Sequence, residues 1–286
     1  ADGPALQALR TLGARVHLGH DAGHLAGVDT VVVSSAIRED NVELAAARAA
    51  GLRVLHRSQA LASLMAGSRR VAVAGANGKT TTTSMLVVAL DAAGAHPSYA
   101  CGAEIAQLAT NAAIGDGSVF VVEADESDGS FLAYRPDVAV VTNVQPDHLD
   151  FYGTAERVEE AYAAFVATVP ADGLVVACFD DPGSRRLAQA VRSCGGAVVT
   201  YGYEPGADLR VLSTEPDGLG THSRFVLDGV EHSLVLLVPG PHNVMDACAA
   251  YLAAVHGVGA QPDAVLVGLA SFSGARRRFE VRGEAG

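Results

Sequence analysis

Residues 69–83 read RRVAVAGANGKTTTT. Val71 to Ala74 is a short apolar run, the pattern of a strand buried on both faces of a sheet. Gly75-Ala76-Asn77-Gly78-Lys79-Thr80 follows at once, and a long helix is expected through about Ala93. Strand, glycine-rich turn and helix in that order bring backbone N–H groups and a helix N-terminus to bear on an anion. The full phosphate-loop pattern is G-x-x-x-x-G-K-[ST]; Val73 occupies its first glycine position, leaving the shortened G-x-x-G-K-T. The physical logic is intact. Gly75, Asn77, Gly78, Lys79, Thr80 and Thr81 form a candidate nucleotide site in which Lys79 reaches the phosphates and Thr80 can ligate Mg²⁺. The competing reading is a tight turn with an incidental lysine. Composition weighs against it: of 20 basic residues 19 are arginine, and the one lysine is Lys79. A compact ammonium on a flexible stem suits phosphate oxygens in such a loop.

Outward from this stretch the chain alternates strands and helices, which implies a parallel sheet. Upstream, Leu6–Leu12, Asn41–Ala50 and Ser58–Met65 read as helices. Ala14–Leu18 and Leu52–Leu55 read as extended, and Thr30–Ser35 (TVVVSS) as a buried strand. This segment opens on a helix, without the strand and glycine turn that begin a Rossmann unit. Downstream, strands are expected at Ser118–Glu123, Val138–Asn143, Leu174–Cys178 and Ala197–Tyr201, with helices at Glu156–Ala167 and Ser184–Arg192. Leu209–Ser213, His222–Leu227 and His232–Val238 then alternate, the last two joined through Asp228-Gly229, a strong hairpin signal. Helices at Asn243–Val255 and Pro262–Ala270 close the block. The expected class is α/β: a partial Rossmann-like domain over 1–68, and a phosphate-loop central domain over 69–273 with a mostly parallel sheet and a small antiparallel patch. Residues 274–286 read as a connector.

Four further sites carry candidate chemistry. Glu123-Ala124-Asp125-Glu126-Ser127-Asp128 ends the strand VFVVE, where open α/β sheets bind ligands. Four carboxylates in six residues repel one another unless a cation or solvent intervenes, so Glu123 is a candidate Mg²⁺ ligand; the alternative is a solvated acidic turn. His148, between Asp147 and Asp150 and beyond another strand end, can bind a metal or be oriented by a carboxylate. Pro239-Gly240-Pro241-His242-Asn243 enters a helix, where Asn243 can contact a ligand or simply cap. Arg276-Arg277-Arg278 can reach a phosphate or lie in a solvated connector.

Bulk properties exclude several classes. A net charge of -12 without a basic stripe argues against nucleic-acid binding. No apolar run reaches the roughly 18 residues of a spanning helix. No charged-then-apolar leader opens the sequence as given. Cys101, Cys178, Cys194 and Cys248 lie far apart with no CxxC spacing, which suits reduced thiols in a cytoplasmic protein better than a disulfide framework.

Taken together, GxxGKTTTT, EADESDGSF, TNxxxDHLDFYG, GxHN and RRRFE, in this order, resemble the Mur ligases, which join amino acids to the peptidoglycan precursor. The motifs SSAIREDN, ATNA and EADESD point to the branch that acts on UDP-N-acetylmuramate and L-alanine. The resemblance covers nearly the whole chain. It implies an upstream UDP-sugar domain represented by its later part, a central ATPase, and a third domain not represented. It implies ATP and Mg²⁺ as cofactors, with Lys79 and the loop amides on the phosphates, and Thr80 and Glu123 on Mg²⁺. His148 would place a second Mg²⁺, His242 and Asn243 the adenine side, and Arg278 the phosphates, while Thr110, Asn111 and Ser127 lie near the muramyl substrate. The implied reaction phosphorylates the lactyl carboxylate to an acyl phosphate, which the amine of L-alanine attacks through a tetrahedral intermediate. There are three departures from the family pattern, covering four residues: Ala76-Asn77 where it reads Thr-His, Pro241 where it has arginine, and Ala109 where it has glycine. With Lys79 as the only lysine, the carbamylated lysine of some sister ligases has no counterpart. The rival expectations are a ligase that reattaches a recycled tripeptide to the same sugar nucleotide, a nucleotide-hydrolysing switch, and a catalytically incomplete nucleotide-binding fragment.

Overall fold

The structure, a computed structural model, describes residues 3–275. The arginine cluster, Arg278 included, and most of the expected connector lie outside the described residues. The chain divides into two compact units, Ala1–Leu64 and Met65–Gly286.

The first unit contains α1 (Pro4–Thr11), β1 (Thr30–Val33), α2 (Val42–Ala49), β2 (Arg53–His56) and α3 (Arg57–Leu64). The strands β1 and β2 pair in parallel, Thr30 opposite Arg53 through Val33 opposite His56. Asn41 caps α2 by accepting from the N–H groups of Glu43 and Leu44 at 3.0 and 3.2 Å. Nδ1 of His20 and Nδ1 of His24 each donate to the Glu43 carboxylate at 2.6 Å, which holds that carboxyl below its ordinary value. Two expectations fail here. Ala14–Leu18 forms no strand; the ring of His17 stacks instead on His24, centroids 3.9 Å apart. Thr30–Val33 is a strand but not a buried one, with Val32 53% exposed; among the described residues it pairs with β2 alone.

The second unit is built on a ten-stranded sheet. In chain order its elements are β3 (Arg69–Ala74), α4 (Lys79–Ala92), β4 (Ser98–Ile105), β5 (Thr110–Ala113), β6 (Val119–Glu123), β7 (Val138–Val141), α5 (Leu149–Tyr152), α6 (Ala155–Val166), β8 (Leu174–Cys178), α7 (Pro182–Ser193) and β9 (Val198–Gly202). There follow β10 (Leu209–Asp217), β11 (Gly220–Leu227), β12 (Val230–Leu236), α8 (Pro241–Leu252), a π-helical turn Ala253–Val258, and α9 (Pro262–Ser271). Spatial order is β12-β11-β10-β9-β8-β7-β3-β6-β4-β5. From β10 to β4 every neighbouring pair is parallel. The expected antiparallel patch is β10-β11-β12, and a second antiparallel strand, β5, closes the far edge against β4. Leu227 faces Val230 across Asp228 (φ 51°) and Gly229 (φ 77°), the pair of left-handed residues a two-residue hairpin turn requires. No helix among the described residues is long and apolar enough to cross a membrane.

The central strands β3 and β7 are buried without alternation, as expected where helices cover both faces. Arg70, on β3, ties this strand to the entrance of β7: its backbone N–H and its guanidinium donate to Asp137 at 2.8–3.1 Å. Burial alone would raise the Asp137 carboxyl, but the contacts from Arg70 hold it below its ordinary value. A carboxylate depressed in this way stabilises the fold above its unfolded pKa of about 3.9, and the contribution is lost as pH falls through the lower folded value. Asp137→Asn is therefore expected to lower stability at neutral pH and to flatten the acid limb of a urea-midpoint-versus-pH curve below about pH 4. An unchanged acid limb would show that the pair contributes nothing.

Helices α4, α8 and α9 pack together. A Cβ at Gly268 of α9 would lie 2.6 Å from the Cα of Ala89 and 2.9 Å from the Cβ of Ala92 on α4. Alanine is the better helix former by roughly 0.5–1 kcal/mol, yet here it would force two helices apart. Gly268→Ala is expected to destabilise by about 1–3 kcal/mol in urea unfolding; a raised midpoint would contradict the close contact.

Candidate active site

The site begins at the end of β3. Gly75 has φ 142° and Gly78 φ 84°. A Cβ on Gly75 would meet Thr142 Oγ1 at 2.0 Å, and one on Gly78 would meet Asp246 Oδ1 at 2.5 Å. Between them the loop is tied to the end of β7. Asn77 N–H donates to Asn143 Oδ1 at 2.9 Å, Asn143 Nδ2 donates back to Asn77 O at 2.9 Å, and Thr142 Oγ1 donates to the same carbonyl at 2.5 Å. Asn77 Nδ2 also reaches Gln145 Oε1 at 3.3 Å. The helix α4 then starts at Gly78, which has no side chain to cap it, so its first-turn N–H groups have no intrahelical partner and no cap from that residue.

Lys79 curls back over the loop, its Nζ donating to Gly75 O at 2.5 Å and to Glu126 Oε1 at 2.9 Å. Thr80 Oγ1 donates to Glu123 Oε1 at 2.8 Å. The other Glu123 oxygen accepts from Gly102 N–H at 2.6 Å and weakly from Cys101 Sγ at 3.6 Å. Burial pushes the Cys101 thiol up to about 11, so it remains a neutral donor near pH 7.

The acidic run does not repel itself in the manner its sequence implies. Asp125 and Asp128 turn back on their own backbone, accepting from Ser127 and Ser130 N–H at 3.1 and 3.0 Å. Glu126 goes inward, 2% exposed, to meet Lys79. Burial raises its carboxyl above the ordinary value, while Lys79 opposes the rise. Tyr152 OH donates to the main-chain carbonyl of Glu126 at 2.5 Å. His148 has a left-handed φ of 53°, and its Nε2 lies 3.9 Å from Glu126 Oε1 and 3.9 Å from Asp147 Oδ2. The loop, Glu123 and His148 thus meet at one end of the sheet.

On the other flank of the loop lies a cleft of about 600 Å³, within the range of small-molecule sites. Asn77, Gly78 and Thr81 line it together with His242, Asn243 and Asp246 of α8, and with Asp180 and Asp181 beyond β8. Asn243 is not the cap of α8; Gly240 holds that position. Asn243 Nδ2 donates to Pro239 O at 2.7 Å, fixing the entry turn. Thr110 and Asn111 sit on β5, and Asn111 Nδ2 donates at 3.4 Å to Cys101 O, one residue from the amide that holds Glu123. Sequence reading singled out Glu123 from the acidic run and passed over Glu126, Asn143 and Asp246. A half-buried lysine gains from a counter-charge, but nothing in the spacing says which of four nearby carboxylates supplies it.

A strand-end loop with a lysine, an uncapped helix and a ring of polar side chains at the carboxyl ends of a parallel sheet defines an anion-binding α/β protein of the phosphate-loop type. The chain belongs to the Mur ligase family. The family model for the Mur ligase middle domain matches residues 73–254, and that for the Mur ligase catalytic domain matches residues 1–69. A UDP-N-acetylmuramate–L-alanine ligase of Arthrobacter sp. is 53% identical over 287 residues, covering 99% of this chain and 60% of its own length. One of Kineococcus radiotolerans is 56% identical, covering 100% and 61%. The chain thus spans about three-fifths of the length of these curated relatives. Among solved structures, a UDP-N-acetylmuramate–alanine ligase of Thermotoga maritima matches with TM-score 0.83 and 28% identity over 98% of this chain and 63% of that one. A UDP-N-acetylmuramate:L-alanyl-γ-D-glutamyl-meso-diaminopimelate ligase of Neisseria meningitides matches with TM-score 0.85 and 27% identity over 96% and 88%.

Because Gly78 is both left-handed and closed in by Asp246, whose Oδ1 is held by Thr82 Oγ1 at 3.0 Å, Gly78→Ala is expected to cost about 1–3 kcal/mol in urea unfolding. A cost below about 0.5 kcal/mol would mean that the loop tolerates a side chain there.

Proposed function

We propose that the chain is the nucleotide-binding core of a ligase that joins L-alanine to UDP-N-acetylmuramate at the expense of ATP. The observation that carries the reading is the placement of the single lysine at an uncapped helix start beside the Thr80–Glu123 pair, in a chain about half identical to ligases of that name. In this reading Lys79 and the amides of the loop hold the phosphates, and the cleft beside Thr81, His242 and Asn243 takes the nucleoside. Thr80 and Glu123 would hold Mg²⁺. Two protein oxygens suit that ion, which keeps water and phosphate oxygens as its other ligands. His148 would help to place a second Mg²⁺. Bound magnesium supplies charge neutralisation at the transferred phosphoryl group. Thr110, Asn111 and Ser127 lie on the side proposed for the muramyl substrate, whose activated carboxyl the amine of L-alanine attacks. The protein's share of the chemistry is alignment and electrostatic stabilisation.

The structural likeness to the tripeptide ligase favours a second reading in which a recycled tripeptide replaces L-alanine; the sequence relatives favour L-alanine.

Two measurements test the proposal. MgATP titrated calorimetrically into this chain is expected to bind, and Lys79→Ala to weaken binding at least tenfold, as loss of a charge-assisted contact does. In a full-length version, ADP release is expected to require UDP-N-acetylmuramate and L-alanine together and to fall about 100-fold or more on Glu123→Ala. ADP release driven by the tripeptide and not by L-alanine would replace the first reading with the second, and release without any amine would overturn both.

A further inference from the structure

The proposed chemistry leaves one deeply buried carboxylate beside Lys79, that of Glu126, without a task. Glu126 is 2% exposed, and a carboxylate so placed is costly unless it is paired. Its Oε1 is shared between Lys79 Nζ at 2.9 Å and His148 Nε2 at 3.9 Å. Its Oε2 is buried with no hydrogen-bond partner. Its backbone is fixed as well, since the carbonyl accepts from both Tyr152 OH and Gly129 N–H, at 2.5 and 3.0 Å. The carboxylate is therefore held in place by the turn that carries it, and the lysine, on four flexible methylenes, comes to it.

An ammonium has three N–H donors. Two of the three on Lys79 are spent, on Gly75 O and on Glu126. Both acceptors hold the ammonium back against the loop, and Glu126 cancels much of the charge that would draw an anion. A nucleotide's β-phosphate therefore competes with a resident carboxylate for the same cation.

We propose that Glu126 is a positioning residue that clamps Lys79 in the empty loop and yields it to the phosphates when nucleotide arrives. This inference rests on the nucleotide-binding reading above. Glu126 acts through Lys79, the group it contacts. The clamp keeps the ammonium ordered and ready, and it weakens nucleotide binding in exchange.

The chain offers a direct test because Lys79 is its only lysine. Labelling with ¹⁵N-lysine gives a single side-chain ammonium signal in the NMR spectrum. In the wild-type chain without Mg²⁺, saturating ADP is expected to shift that signal, and AMP, which lacks the β-phosphate, to leave it in place. In Glu126→Gln the resting signal is expected to move or to be lost to exchange with water. ADP is expected to bind that variant about fivefold more tightly, because an opposing charge has been removed. A resting signal unchanged by the substitution, or ADP binding that is equal or weaker, would overturn the clamp while leaving nucleotide binding intact. No ADP binding to the wild-type chain would overturn the nucleotide reading and the clamp together. If Glu126→Gln does not fold, the wild-type spectra decide. A signal that responds to ADP and not to AMP supports the handover, and one that ignores ADP overturns it.

Discussion

The geometry of the whole site depends on the left-handed backbone of Gly78. A residue with a Cβ pays in two ways there, in backbone strain and in collision with Asp246. Because Gly78 accepts φ 84°, the chain turns out of β3 and enters α4 without a capping side chain. The first turn of the helix then exposes its N–H groups at the carboxyl end of the sheet. Lys79, the next residue, is thrown back across the loop, and Thr80 toward the end of β6. Asp246 on α8 and Thr82 on α4 brace the same corner through their hydrogen bond. Moving Gly78 would shift every one of these groups.

The sheet supplies the second constraint. Parallel order places the ends of β3, β6 and β7 side by side, so three loops far apart in sequence converge. Glu123 leaves β6, the Asn143–His148 stretch leaves β7, and both meet the loop after β3. The apolar interiors of those strands carry no chemistry themselves. They set the distance at which Thr80 reaches Glu123 and Asn77 reaches Asn143.

Much of this was legible in the sequence. The apolar run Val71–Ala74, the glycines and the lone lysine gave the loop, and the Asp228-Gly229 hairpin was written in its turn residues. Ser98–Ile105 and Thr110–Ala113 were not legible as strands: SYACGAEI and TNAA are short of β-branched residues and include a bulge, so no period-2 signal survives. The Thr30–Val33 run misled for the opposite reason. Its valines carry the signature of a buried strand, but burial depends on the neighbours a strand finds. Glu126 escaped notice because sequence spacing reports proximity along the chain, whereas the partner of Lys79 is selected by a turn that sends Asp125 and Asp128 to the amides of Ser127 and Ser130 and leaves Glu126 to face inward.

The three departures from the family pattern have separate local physics. Asn77, where the pattern has histidine, pairs with Asn143 through its backbone N–H and carbonyl, and its side chain adds one bond, to Gln145 beyond β7. Pro241 occupies the first turn of α8, where its fixed φ favours helix initiation and its missing N–H costs nothing; the arginine it replaces would have added a charge beside the cleft. Ala109 has φ 51°, a conformation in which glycine is at ease and alanine is strained, which is a physical reason for glycine to be usual there. Its neighbour Thr110 pairs with Ile105 of β4, and the register shifts before Ala112 meets Ala100. Ala109 thus carries backbone strain that glycine would avoid, and Pro241 leaves the cleft one cation short of the family pattern. With Lys79 paired to Glu126, the positive character left at the loop is that of the amides at the start of α4.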